Sequence, residues 1–170
     1  MFLVRSFFSQ ESRQSQLSLV EVFHTRNLGD LPARHQDRWV SSVDGVHAPA
    51  QTRVLALMGV AGDSAEWTID SPPFGLHCVP IQAEFSSQET AWYTQSWEDL
   101  GLSSPVNNLE KSLTVADSHN QLFGILVHEI PRSYNLAESR ADFLRRHGVK
   151  QVICLGGLLP SGGSYCVFLY

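Results

Sequence analysis

Gln151-Val152-Ile153-Cys154-Leu155-Gly156-Gly157-Leu158-Leu159, then Pro160-Ser161-Gly162-Gly163, then Ser164-Tyr165-Cys166-Val167-Phe168-Leu169-Tyr170 runs from one apolar segment through turn residues into a second. Two such runs flanking a Pro/Gly turn predict a β-hairpin, so at least part of the sheet is antiparallel. Upstream, Leu136 to His147 is amphipathic, with Ala137, Ala141, Phe143 and Leu144 inward. It predicts a helix that Gly148 closes. Gln121 to Ile130 predicts a strand ended by Pro131, and Ser103 to Glu110 a polar loop.

Further back, Ser86 or Ser87 is the expected N-cap of a helix carrying Trp92, Tyr93, Trp97 and Leu100. Glu89 lies at capping-box distance and Gly101 is the stop. His77 to Ile81 predicts a short strand at a sheet edge, because Pro80 has no ladder donor. Trp67 to Gly75 is a loop around Pro72-Pro73. Arg53 to Val60 predicts a buried central strand stopped by Gly59, Gly62 and Asp63. Leu17 to Thr25 predicts another, with Leu17, Leu19, Glu21 and Phe23 on one face. After the turn residues of 27–32, Pro32 suits the first turn of a helix through Arg38 and Trp39 to about Val43. The order strand, helix, strand, short strand, helix, strand, helix, strand, strand predicts an α+β fold. Its centre is an antiparallel sheet of five or six strands with helices packed on it.

The 170 residues fit a single domain, 1–170. Because the sequence stops inside its last predicted strand, it is expected to continue into a longer chain. Hydrophobic residues make up 43% and charged residues 17%, enough for a core without metals or disulfides. A net charge of −5 argues against a nucleic-acid surface. The one basic run, Arg140, Arg145, Arg146, His147 and Lys150, reads as a solvated helix end. Three cysteines without C-x-x-C spacing fit a reducing compartment, and no apolar stretch reaches membrane-span length. A cytoplasmic protein with no membrane span is expected.

No catalytic signature stands out. The Gly156 to Gly163 stretch lacks the Gly-Lys-Ser/Thr ending of a phosphate loop, so turn chemistry explains it better. The seven histidines form no H-x-x-x-H pair; His77 beside Cys78 is the best single candidate for a metal or haem. Cys78 or Cys154 with His128 is a conceivable thiol–base pair, yet Cys154 and Cys166 sit in apolar strands that favour inert thiols. The aromatic group Trp67, Phe74, Trp92, Tyr93 and Trp97 reads either as core or as the wall and lid of a pocket, with Trp67 the candidate lid.

Nearly the whole chain resembles the GAF-like sensor domains of bacterial multidomain signalling proteins, sensor histidine kinases in particular. The likeness is strongest from Val149 to Gly162 and through Phe168-Leu169-Tyr170. Leu19 to Thr25 with Gly29-Asp30-Leu31-Pro32, Leu57 to Asp63 with Glu66-Trp67, and His77 to Ile81 echo it. Ser133 to Phe143 departs from the proline-bearing acidic loop of that family. The resemblance implies a regulatory input module, without catalytic residues of its own, that senses a small ligand or partner. It would modulate an attached output domain such as a histidine kinase, as a homodimer. The rival readings are a ligand-free dimerisation module and a small thiol- or histidine-dependent enzyme. On the implied fold, Trp67, Phe74, His77, Cys78, Trp92 and Phe123 are the candidate ligand-binding residues. No metal ligand is assigned, and the cofactor is unknown.

Overall fold

The computed structural model describes residues 17–36, 48–82, 86–102, 123–129, 137–159 and 162–170. Strand β1 (Leu19–Asn27) leads through a 3-10 turn (Leu28–Asp30) towards β2 (Arg53–Gly62) and β3 (Cys78–Pro80). Helix α1 (Ala91–Asp99), β4 (Phe123–Glu129), α2 (Glu138–Arg146), β5 (Gln151–Leu158) and β6 (Ser164–Leu169) follow. The six strands form one sheet in the order β3-β2-β1-β6-β5-β4, and every pairing is antiparallel. The α+β class and the antiparallel sheet expected from the sequence are therefore present.

Alternation along the strands sorts the two faces. Leu19 and Phe23 of β1, Leu55 and Leu57 of β2, Val152 and Cys154 of β5, and Cys166 and Phe168 of β6 share one core with Trp92, Tyr93 and Trp97 of α1 and Phe143 and Leu144 of α2. Both helices thus lie on the same side of the sheet. On the other side Ile125 and Val127 of β4 stand 59% and 54% exposed.

Local chemistry explains where the elements begin and end, and where the expected bounds were off. β1 runs to Asn27, two residues beyond Thr25. Gly59 does not stop β2. It pairs with Val22 inside the strand, beside the register shift at Val22/Phe23 that leaves Met58 exposed, and the strand continues to Gly62. There a Cβ would come within 2.5 Å of the Trp67 ring and 2.6 Å of the Ser18 carbonyl, so glycine admits the Trp67 loop. β3 is an edge strand, with Pro80 opposite Val54. The helical turn after Pro32 is present at 33–36; the rest of that expected helix and the Ser103 to Glu110 loop lie outside the described residues.

The expected capping at α1 is corrected. The Thr90 hydroxyl, rather than Glu89, accepts the Ser87 N–H at 2.9 Å, while Ala91 N donates to the Ser87 carbonyl. Glu89 instead accepts from the Ser139 hydroxyl at 3.2 Å, joining the starts of the two helices. Gly101 at φ 72° and Gly148 at φ 61° follow the two helices, in the left-handed region expected of stops.

Gly156 and Gly157 are strand residues of β5, not turn residues. Gly156 pairs with Gly124, and a Cβ on either would meet Leu100 at 2.7 Å. The two glycines pave the seat on which the end of α1 rests.

Candidate functional site

Strand alternation sends Glu21, between Leu19 and Phe23, into the apolar core, where it is fully buried. Its Oε2 accepts the Tyr93 hydroxyl at 2.6 Å and the Tyr170 hydroxyl at 2.9 Å. Tyr93 comes from α1 and Tyr170 follows β6, so three elements meet at one carboxylate oxygen. The other oxygen, Oε1, is buried and has no hydrogen-bond partner among the described residues.

Above this group sits Arg140, in the first turn of α2 and only 1% exposed. It shares a helix face with Ala137 and Leu144, both buried, at spacings of three and four residues. Its Cζ lies 4.2 Å from the Tyr93 ring centroid, 4.6 Å from Phe74 and 5.2 Å from Trp92. Contacts of this kind are worth up to about 2 kcal/mol each when desolvated. Arg140 Nε and Nη2 are both buried and have no hydrogen-bond partner among the described residues. These two nitrogens form one edge of the guanidinium, the edge that matches a carboxylate with two parallel N–H···O bonds.

The electrostatics of the cluster are those of charge in a low-dielectric site. Burial pushes the Glu21 carboxyl above its ordinary value, and the Arg140 charge and the two tyrosine hydroxyls only partly offset it. Burial likewise raises both tyrosines. For Arg140, burial opposes the charge, but Tyr93, Tyr170, Glu21 and Glu89 more than offset it and hold the group protonated. A raised carboxyl pKa means that the folded state binds the proton more tightly than the unfolded chain does. Glu21's contribution to stability is thus full below the ordinary value of 4.5 and is lost as pH rises through the folded value. The Glu21→Gln variant keeps an acceptor for both tyrosines and has no such proton. Its melting temperature relative to wild type is expected to climb as pH rises from 4.5. A difference that stays flat or shrinks over that range would mean that burial does not raise the Glu21 carboxyl.

Of the residues singled out in the sequence, Phe74 and Trp92 are at this cluster, against Arg140 and Tyr170. Trp67 stands one ring further out, 5.6 Å from Phe143, which in turn packs on Phe74. His77 and Cys78 are elsewhere. The His77 ring packs at 4.7 Å on His35, with its nitrogens near the Gly75 and Asp70 carbonyls. Cys78 belongs to a second small core with Leu28 and Val54, and burial pushes its thiol up to about 12. Phe123 opens β4, and its side chain lies outside the described residues.

Of the residues raised for thiol or metal chemistry, Cys154 and Cys166 are free, fully buried thiols with sulfurs 3.2 Å apart. The contact between them raises the Cys154 pKa. His128 hydrogen-bonds Ser96 at 3.2 Å and packs on Trp92. Among the described residues there is no group of three or more His, Cys, Asp or Glu side chains placed to hold a metal ion.

The reading of Arg140 as part of a solvated basic run is overturned: it is the most buried charge on its helix. Sequence reasoning also passed over Glu21 and Tyr170. The usable signal was a charge on each of two apolar faces, Glu21 between Leu19 and Phe23 and Arg140 between Ala137 and Leu144. No helix among the described residues is long and apolar enough to cross a membrane. No family model matches the chain, and neither a curated protein nor a solved structure matches it.

Proposed function

We propose that this chain is a GAF-like input module that binds a small ligand and regulates an attached output domain, a histidine kinase being the type expected. In this reading it is cytoplasmic and dimeric, and its ligand occupies the space among Arg140, Glu21, Phe74 and Trp92. An antiparallel six-stranded sheet with helices on it suits such a module. The observation that carries the proposal is the pairing of an open guanidinium edge with an open carboxylate oxygen inside an aromatic shell. A buried polar group left without a partner costs about 1–3 kcal/mol, and two such groups of opposite character, both in contact with Tyr93, suit an occupant that meets both. Binding there would tie α1, α2 and the central strands together, favouring one of two states through differential affinity.

Native mass spectrometry of the purified protein, against the same sample denatured, tests this. A retained small molecule that disappears on denaturation, and is missing from an Arg140→Lys variant, is the expected result. A protein that carries nothing and shows no thermal shift against a metabolite library would overturn it. The second reading is an interaction module, which the exposed Ile125 and Val127 on the sheet face turned away from α1 and α2 favour. A ligand-free dimer broken by Val127→Asp would support that one instead.

A further inference from the structure

We infer that the ligand of this site is a small zwitterion of the α-amino-acid class. Its carboxylate would be held by the Nε/Nη2 edge of Arg140 and its ammonium by Glu21 Oε1. This rests on the proposal that the cluster is a ligand site, and goes beyond it by naming the chemistry.

The argument is one of matching open valences. Arg140 offers two donors on a single edge, both unpartnered, in the fork geometry that a carboxylate fills. Glu21 offers the reverse, an acceptor oxygen with no donor. A simple anion would fill the fork and leave Oε1 bare. A simple cation would do the opposite. A molecule bearing both groups satisfies both, and because it brings no net charge it leaves the balance of the buried pair unchanged. Its length is bounded as well. The Tyr93 ring lies 4.2 Å beneath the Arg140 Cζ, and its own hydroxyl is bonded to Glu21. Both charged partners are therefore tied to the same phenol ring, one at its face and one at its hydroxyl, a span suited to groups joined through one carbon rather than through a long chain. The faces of Phe74 and Trp92 add an apolar wall, and an aromatic face also attracts an ammonium group.

The test is a thermal-shift and calorimetric screen of the whole chain with the twenty standard L-amino acids. Each is paired with the carboxylate lacking its amino group and the amine lacking its carboxyl group. The expected result is saturable stabilisation by one or a few amino acids, with the paired carboxylate and amine binding at least tenfold more weakly. Arg140→Lys keeps the positive charge and loses the two-pronged edge. Glu21→Gln keeps the tyrosine hydrogen bonds and loses the charge. Each variant, shown to be folded by near-ultraviolet circular dichroism, should bind at least tenfold more weakly than wild type. A plain carboxylate binding as tightly as the amino acid, binding undiminished in both variants, or no response to any amino acid would each overturn the inference. A molecule of another class retained in native mass spectrometry would overturn it while leaving the sensor proposal standing. A bare protein with no response to any probe would remove both.

Discussion

Arg140→Ala is expected to cost about 3–5 kcal/mol, lowering the melting temperature on the order of 10 °C. Three losses add up at one position. The side-chain stem packs in the core at 1% exposure, so truncation leaves a hole. The guanidinium stands over Tyr93, Phe74 and Trp92, and its attraction to those rings goes with it. Glu21 also loses the positive charge that partly holds its carboxyl down, so its proton is held more tightly still. The control lies on the same helix. Arg145 has a side chain 74% exposed and pairs with Asp142, so Arg145→Ala should change stability by no more than about 0.5 kcal/mol. Urea unfolding of both variants separates the cases. Equal small effects would place Arg140 on a solvated surface after all, and the ligand site with it.

How far the sequence could be read follows from which forces act locally. Strand alternation, the glycine stops after α1 and α2, and the hairpin from Gln151 to Tyr170 are properties of a few adjacent residues, and they come through in the chain order. The edge position of β3 was legible because Pro80 lacks an N–H. The Gly156 to Gly163 stretch was harder. Glycine in a turn and glycine under a packed leucine have the same letter, and only the approach of Leu100 to Gly156 and Gly124 tells them apart. The candidate site was half legible. Phe74 and Trp92 were found because aromatic residues near a Pro-rich loop invite a pocket. Arg140 was passed over because it sits among other basic residues, and the helix rotation that buries it while exposing Arg145 is set by Ala137 and Leu144. Glu21 and Tyr170 are 149 positions apart and meet only through the pairing of β1 with β6. No local pattern encodes that meeting.

Phe168→Ala is expected to be comparably damaging, about 3–5 kcal/mol, for a reason that bears on the site. Phe168 is fully buried on β6, with its ring 4.8 Å from Tyr93, 5.1 Å from Trp92 and 5.9 Å from Phe23. Aromatic pairs of this geometry contribute about 0.5–1.5 kcal/mol each beyond the area they bury. Two of those three partners, Tyr93 and Trp92, are among the three rings on which Arg140 rests. Removing the Phe168 ring therefore opens a hole beneath the floor of the site and lets Tyr93 and Trp92 settle towards it. Once they have moved, there is less for Arg140 to lose. The double variant Phe168→Ala with Arg140→Ala should fall short of the sum of the single losses by 0.5 kcal/mol or more, the usual threshold for coupled neighbours. Phe168→Leu fills most of the space and should cost only about 1–2 kcal/mol while leaving the coupling small. Strict additivity in the double variant would mean that the buried charge and the aromatic core are independent. Coupling would mean that whatever occupies Arg140 is felt at the central strands, the requirement a sensing module has to meet if its ligand is to reach an output domain.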